Sequence, residues 1–196
     1  MGNFTSFLFF LSSVGGLRGG LLTVWDSSEV EVWDSASGNN YMLIHGRFVK
    51  SSEEFYLFNV YALCDQLAKQ ALWDSFIWLV LLGAKKVCIC GDFNAVRNGE
   101  ERWSVRNDIL SADYAPFNSF IDDNMLVDLP LHGRKYTWFK GDGKSMSRLD
   151  RFLLSEEWCL EWPNCVQVTL LRGLLDHCPL VLTIGVPVVE MLVRNA

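Results

Sequence analysis

The residues of this 196-residue chain with the clearest capacity for chemistry stand in three short segments. The first, Val87-Cys88-Ile89-Cys90-Gly91-Asp92-Phe93-Asn94, is an apolar run that ends in an acid and an amide. Residues two apart on an extended segment point the same way, so Asp92 and Asn94 are expected to face one site while Phe93 faces the core. A carboxylate can orient or deprotonate an attacking water, and a neutral amide can donate to an anionic phosphate oxygen without titrating. The pair therefore suits phosphodiester hydrolysis, although Gly-Asp-x-Asn also favours a plain turn.

The second segment, Leu175-Asp176-His177-Cys178-Pro179-Leu180, places an acid and an imidazole just ahead of an apolar strand. There an Asp can lie near a metal, and a His can stabilise charge on a phosphorane; a solvated Asp-His pair is the alternative. The third segment runs from Met146 through Ser147-Arg148-Leu149-Asp150-Arg151 to Leu154. A carboxylate on such a strand can hydrogen-bond an imidazole, fix its tautomer and favour its protonated form. The competing arrangement is an ion pair of Asp150 with Arg148 or Arg151.

Sheets must carry these groups. Apolar, β-branched runs at Leu21 to Trp25, Met42 to Val49, Phe55 to Tyr61, Val87 to Cys90, Lys135 to Phe139, Val166 to Leu171 and Leu180 to Ile184 read as strands. Leu72, Phe76, Leu79 and Val80 recur at helical spacing, with Asp65 as cap and Gly83 as terminator. A second helix is expected over Pro116 to Asn124. A third follows Ser155 and stops before Pro163. Many strands with few helices between them predict a mixed α/β sandwich over residues 1–185, with 186–196 an unassigned tail.

Half of the residues are hydrophobic and 20% are charged, which excludes a disordered chain. Seventeen Lys and Arg against 23 Asp and Glu give a net charge of −6, so any contact with a polyanion is local. Such local contact is expected from Arg97, Arg102 and Arg106 around Trp103, which otherwise form a solvated loop. The six cysteines lack zinc-site spacing and read as reduced core thiols of an intracellular protein. Phe4 to Val14 is too short to span a bilayer and has no basic residue ahead of it; a strand is expected there rather than a leader.

Taken in order, Gly-Asp-Phe-Asn, Ser-Arg-Leu-Asp-Arg-Phe and Asp-His-Cys-Pro-Leu resemble the carboxyl-terminal motif series of the endonuclease/exonuclease/phosphatase superfamily. Gly19 to Trp25, Asn59-Val60-Tyr61-Ala62, Tyr136-Thr137-Trp138-Phe139 and Arg148 to Trp158 further resemble the apurinic-endonuclease-type domain of plant non-LTR (LINE-type) retrotransposons. The resemblance implies a four-layer, DNase I-like α/β sandwich of two mixed sheets flanked by helices. It also implies a nuclear enzyme that cuts DNA with Mg²⁺, for which Mn²⁺ can substitute, and that needs neither a membrane nor an obligate protein partner. Carried over by motif, Asp92 aligns or activates the water, Asn94 and Tyr61 contact the phosphate, Asp150 pairs with His177, His177 stabilises the transition state, and Asp176 lies near the metal.

Three departures bear on activity. The family begins with one strand bearing an Asn and a second bearing the metal-binding Glu, whereas here no Glu precedes Glu29 and Asn3 has no matching strand around it. Leu63 replaces a usual Pro, and Leu175 a usual Ser. The expectation is an amino-terminally truncated domain that holds Mg²⁺ weakly and turns over poorly. The alternatives are a non-catalytic remnant acting at most as a binding module, and a phospholipid or inositol-phosphate phosphoesterase of the same superfamily.

Overall fold

The computed structural model describes residues 7–13, 20–76, 85–105, 114–173 and 175–184. In chain order its elements are β1 (Phe7–Ser13), β2 (Gly20–Asp26), β3 (Val30–Gly38), β4 (Tyr41–Phe48), β5 (Glu54–Tyr61), α1 (Gln66–Ser75), β6 (Val87–Asp92), β7 (Arg102–Ser104), α2 (Tyr114–Asp123), β8 (Val127–Asp128), β9 (Leu131–His132), β10 (Trp138–Phe139), β11 (Ser145–Ser147), β12 (Asp150–Leu154), α3 (Glu156–Glu161), β13 (Cys165–Thr169) and β14 (Leu180–Ile184). The frame is a six-stranded mixed sheet in the order β3-β4-β5-β6-β12-β8. Within it β5 and β6 run parallel, and the other neighbours are antiparallel.

Alternation along β6 shows why this sheet is sandwiched. Val87 and Ile89 join a core with Leu72, Trp73 and Phe76 of the α1 segment and Phe117, Phe120 and Ile121 of α2. Cys88 and Cys90 join a second core with Trp158 of α3, towards which Trp25 of β2 and Leu182 of β14 pack. A strand buried on both faces needs an apolar residue at every position, and Val-Cys-Ile-Cys meets that need. On the helical side, Trp73 stacks on Phe120 with ring centroids 4.7 Å apart. On the other side, the Asn59 amide of β5 donates to the Leu22 carbonyl at 3.1 Å and Thr23 Oγ1 at 3.2 Å, which ties down β2 and its partner β1. The second covering sheet is β14-β13-β9. The result is the expected α/β sandwich, with helices α1 and α2 on one face of the main sheet and smaller sheets on the other.

The elements depart from expectation mainly at their ends. Asp65 caps α1, accepting from the Ala68 N–H at 2.9 Å, and Leu79, Val80 and Gly83 lie outside the described residues. Helix α2 starts two residues before Pro116, and Ser155 caps α3 as expected. Phe7–Ser13 is a strand paired with β2. β3 was not legible as a strand because only Val30, Val32 and Trp33 in it are large and apolar; it is an edge strand that is mostly exposed. The run Lys135 to Phe139 contracts to Trp138–Phe139. The cysteines are free thiols, but Cys64 is exposed rather than in the core. No helix among the described residues is long and apolar enough to cross a membrane. The segment 186–196 lies outside the described residues.

Candidate active site

Strand register assembles the site. Tyr61 of β5 lies beside Asp92 of β6, and Asp92 lies beside Asp150 of β12, so the three form a row across adjacent strands at one end of the sheet. The approach is close: Gly91 has φ +131°, and a Cβ there would come within 2.1 Å of the Val60 carbonyl oxygen. Gly91 is therefore what lets β6 deliver Asp92 beside Tyr61.

Two carboxylates directly opposite on neighbouring strands repel. Burial first and the charge of Asp150 second push the Asp92 pKa up to about 6, against the stabilising Asn94 N–H and the nearby His177. Tyr61 is also raised, by burial and then by Asp92, and so keeps its phenolic proton. The site thus holds an acid that ionises close to neutrality and a phenol that can only donate or accept while neutral.

His177 answers the charge of Asp150. Its Nδ1 lies 2.8 Å from Asp150 Oδ2, and its Nε2 is 3.8 Å from Asp92 Oδ2, too long for a hydrogen bond. Burial by itself would lower the His177 pKa. The hydrogen bond and charge of Asp150, helped by Asp92 and Asp176, outweigh it and leave the pKa raised. Nδ1–H is held by Asp150, which leaves Nε2–H for the cleft. The expected Asp150–His177 pair is therefore present, and the competing ion pair of Asp150 with Arg148 or Arg151 is not. Those arginines turn to Glu101 and Asp128.

Asp92 and Asn94 do come together, but not by strand alternation. β6 ends at Asp92, and Asn94 is left-handed at φ +46°. Its N–H donates to Asp92 Oδ1 at 2.9 Å, and its side-chain amide donates to Ala62 O at 2.7 Å and to Asp92 Oδ2 at 3.2 Å. Turn and site are one structure, with Phe93 fully buried behind it. The two amide hydrogens expected to meet phosphate are spent, one on the Ala62 carbonyl and one on Asp92.

A residue not singled out in the sequence, Thr137, fixes the other half. Its buried Oγ1 accepts from the Leu149 N–H at 2.9 Å and the Asp150 N–H at 3.0 Å, while its carbonyl accepts from the Cys178 N–H at 2.7 Å. One side chain thus sets the approach of β12 to the His177 segment. Trp138 pairs with His177 in an isolated bridge, and its indole N–H donates to Asp176 Oδ2 at 3.1 Å. A Thr137→Val variant should lose about 2 kcal/mol of stability, because two buried N–H groups lose their acceptor. As Asp150 drifts from His177, the imidazole pKa measured by NMR should fall towards its ordinary value. Thr137→Ser should restore both; an unchanged His177 titration in the Val variant would refute this positioning role.

The three arginines divide. Arg97 is a clamp: its Nε donates to Asn118 Oδ1 at 2.8 Å, its backbone N–H to Glu101 Oε2 at 2.7 Å, and Nη1 lies 3.6 Å from Asp128. It is committed to the fold rather than presented to a polyanion or left in a solvated loop. Arg102 lines the cleft, and Arg106 lies outside the described residues.

The cleft measures about 560 Å³, and Tyr61, Asp92, Asn94, Asp176 and His177 line it together with the cations Lys69, Arg102 and Lys140. A cleft lined by both carboxylates and cations is suited to a phosphate group approached by water. No three His, Cys, Asp or Glu converge as metal ligands among the described residues. Mg²⁺ commonly takes one or two carboxylates, with water and substrate phosphate filling the rest. The buried, mutually repelling carboxylates of this corner fit a cation held in that open way, and do not fit a closed cage.

The model of the endonuclease/exonuclease/phosphatase family matches residues 2–172 of the chain. No curated protein sequence matches it. Among solved structures, the 3′ phosphatase NExo from Neisseria, bound to a product DNA hairpin, is similar with TM-score 0.69 and 18% identity over 91% of this chain and 79% of that one. The endonuclease domain of TRAS1, a telomere-specific non-LTR retrotransposon, gives 0.65 and 19% over 92% and 80%. The AP endonuclease LMAP from Leishmania major gives 0.70 and 15% over 92% and 71%. At these identities the likeness is one of fold.

Proposed function

The chain belongs to the endonuclease/exonuclease/phosphatase family, and from that premise we propose that it is a Mg²⁺-dependent phosphodiesterase that nicks DNA, of retroelement origin. The observation that carries the chemistry is the Asp92–Asp150–His177 arrangement, which separates a base from an acid by environment alone. Above about pH 6 Asp92 is ionised and can take a proton from water. His177, kept cationic by Asp150, directs Nε2–H at the oxygen on which charge develops. Tyr61 supplies a phenolic donor beside them.

Mg²⁺ or Mn²⁺ would be held by Asp176 and the Asp92 corner and would supply Lewis-acid stabilisation of phosphoryl oxygens. With so few carboxylates the affinity is low, so turnover is slow and needs a high metal concentration. The retroelement origin rests on the motif series and is compatible with the TRAS1-like fold.

The test is relaxation of supercoiled plasmid with Mg²⁺, with and without chelator, across pH 5–9. The rate should climb through about pH 6 as Asp92 ionises. It should fall again as His177 loses its proton, above the ordinary imidazole value of 6.5. Hydrolysis of phosphoinositides by a preparation that leaves DNA intact would move the substrate to the lipid branch. A rate indifferent to pH over this range would refute the assignment of base and acid.

A further inference from the structure

Asn94 has no free hydrogen for the phosphate-contacting role assigned to it by motif, and a buried lysine that touches its carbonyl does have one. Lys69 lies on α1, three and four residues before Leu72 and Trp73, on the stripe that faces the core. It is only 4% exposed. Its ammonium donates to the Asn94 carbonyl at 3.3 Å and lines the cleft beside Asp92. No carboxylate lies within salt-bridge distance of it among the described residues, and one bond uses one of its three hydrogens.

Lysines are almost never so buried without a partner, because removing an ammonium from water is costly unless an anion compensates. The other cleft cations differ. Lys140 is more than half exposed and turns to Asp142 at 3.5 Å, and Arg102 is only partly buried. Lys69 alone among them is fixed and desolvated, next to the carboxylate that would activate water.

We propose that Lys69 is the substrate-binding residue for the phosphate under attack, its ammonium taking the contact that Asn94 cannot make and being balanced only when a phosphate enters the cleft. Asn94 is then a positioning residue twice over, orienting Asp92 through its amide and Lys69 through its carbonyl. This rests on the phosphoesterase function proposed above.

The full chain, in chelator, is titrated calorimetrically with inorganic phosphate and with a short DNA duplex at several salt concentrations, and nicking is followed separately with Mg²⁺ in place of the chelator. Wild type should bind both, and Lys69→Met should bind each about tenfold or more weakly, in line with the loss of a charge-assisted bond. Its affinity for DNA should depend less steeply on salt, by a slope of about one. Lys69→Arg keeps the charge and should stay within about threefold of wild type. Lys69→Gln keeps a donor for the Asn94 carbonyl but no charge. If Gln binds phosphate as well as Arg does, Lys69 merely braces the turn and the proposal is overturned, even should Lys69→Met fail to fold. Nicking by Lys69→Met with wild-type KM overturns the role of Lys69 and leaves the nuclease function standing. Phosphate binding that disappears in Lys69→Met, in a chain that never nicks DNA, supports Lys69 and removes only the DNA substrate. A wild type that binds neither ligand overturns the role of Lys69, and one that also fails to nick DNA or to hydrolyse phosphoesters with Mg²⁺ overturns both.

Discussion

An Asp92→Asn variant is expected to melt at a higher temperature than wild type at pH 7.5 while losing about 10²- to 10⁴-fold in hydrolysis rate. The rate loss follows from removing a cleft-lining carboxylate that ionises near neutrality. The gain in stability follows from linkage. The folded-state pKa of about 6 stands above the ordinary 3.8, so the folded protein holds this proton more tightly than the unfolded chain. Stability from that difference is complete below the unfolded pKa and is lost as pH rises through about 6. At pH 7.5 the ionised carboxylate costs the wild type about 3 kcal/mol.

Asn removes the charge but not every cost. Its amide group meets the Asn94 amide that now donates to Asp92 Oδ2, and His177 loses a neighbouring charge. A net gain of about 1–2 kcal/mol remains, or about 3–6 °C in Tm for a chain of this size. Thermal denaturation at pH 7.5 and pH 4 checks it. The two proteins should converge at the lower pH, where wild-type Asp92 is itself neutral. A variant that melts below wild type at pH 7.5 would show that the corner is not strained by charge.

Arg151→Met should have the opposite sign and a larger size. Arg151 is fully buried on β12, with its guanidinium over the Phe117 ring and bonds to Asp128 at 2.8 Å and to both carboxylate oxygens of Glu101. Arg148 and Arg97 complete the cluster. Removing Arg151 takes three charge-assisted bonds from two desolvated carboxylates and leaves them to Arg148 and Arg97, which costs about 3–5 kcal/mol. That is a large share of the stability of an ordinary domain.

Burial would raise the Glu101 pKa, but the Arg151 hydrogen bond and charge outweigh it and leave it lowered. A lowered carboxylate stabilises the fold above its unfolded pKa and ceases to do so as pH falls through the folded one. The gap between wild type and Arg151→Met should therefore be widest near neutral pH and narrow towards pH 4. Urea denaturation at pH 7 and pH 4 measures both. Arg151→Lys should fall between, because an ammonium cannot fork between two acids. A gap of under 1 kcal/mol at pH 7 would mean that the cluster is not structurally critical. Since Glu101 directly precedes Arg102, and Arg151 directly follows Asp150, loss of the cluster should also loosen the cleft from behind.

Much of the site was legible before any coordinates. Asp92, Asp150 and His177 stand in segments whose polarity interrupts apolar strands, and a charged group at a strand end has to face solvent or a partner. Other features were legible only in part. Lys69 sits at helical spacing from Leu72 and Trp73, so its place on the core stripe could have been noticed; its environment could not. Thr137 was legible only as a member of the Tyr136 to Phe139 motif and without a role, because a threonine in a β-rich run is ordinary until its Oγ1 is seen to serve two N–H groups from another segment. The partners of Arg97 could not be read from the sequence, because cationic side chains are assigned partners by the fold, and Asn118, Glu101 and Asp128 reach it from separate segments.

The amino-acid sequence by itself determined the family, the sandwich and most of the strands and helices near the site, because hydrophobic periodicity, caps and turn residues act over a few neighbours. Only the tertiary structure decided which charge answers which. Asp150 chose His177 over its adjacent arginines, Asn94 turned back on Asp92, and Lys69 met no acid among the described residues. These outcomes depend on register and on desolvation, and both arise between segments up to tens of residues apart, where the strength of a charge is set by what surrounds it.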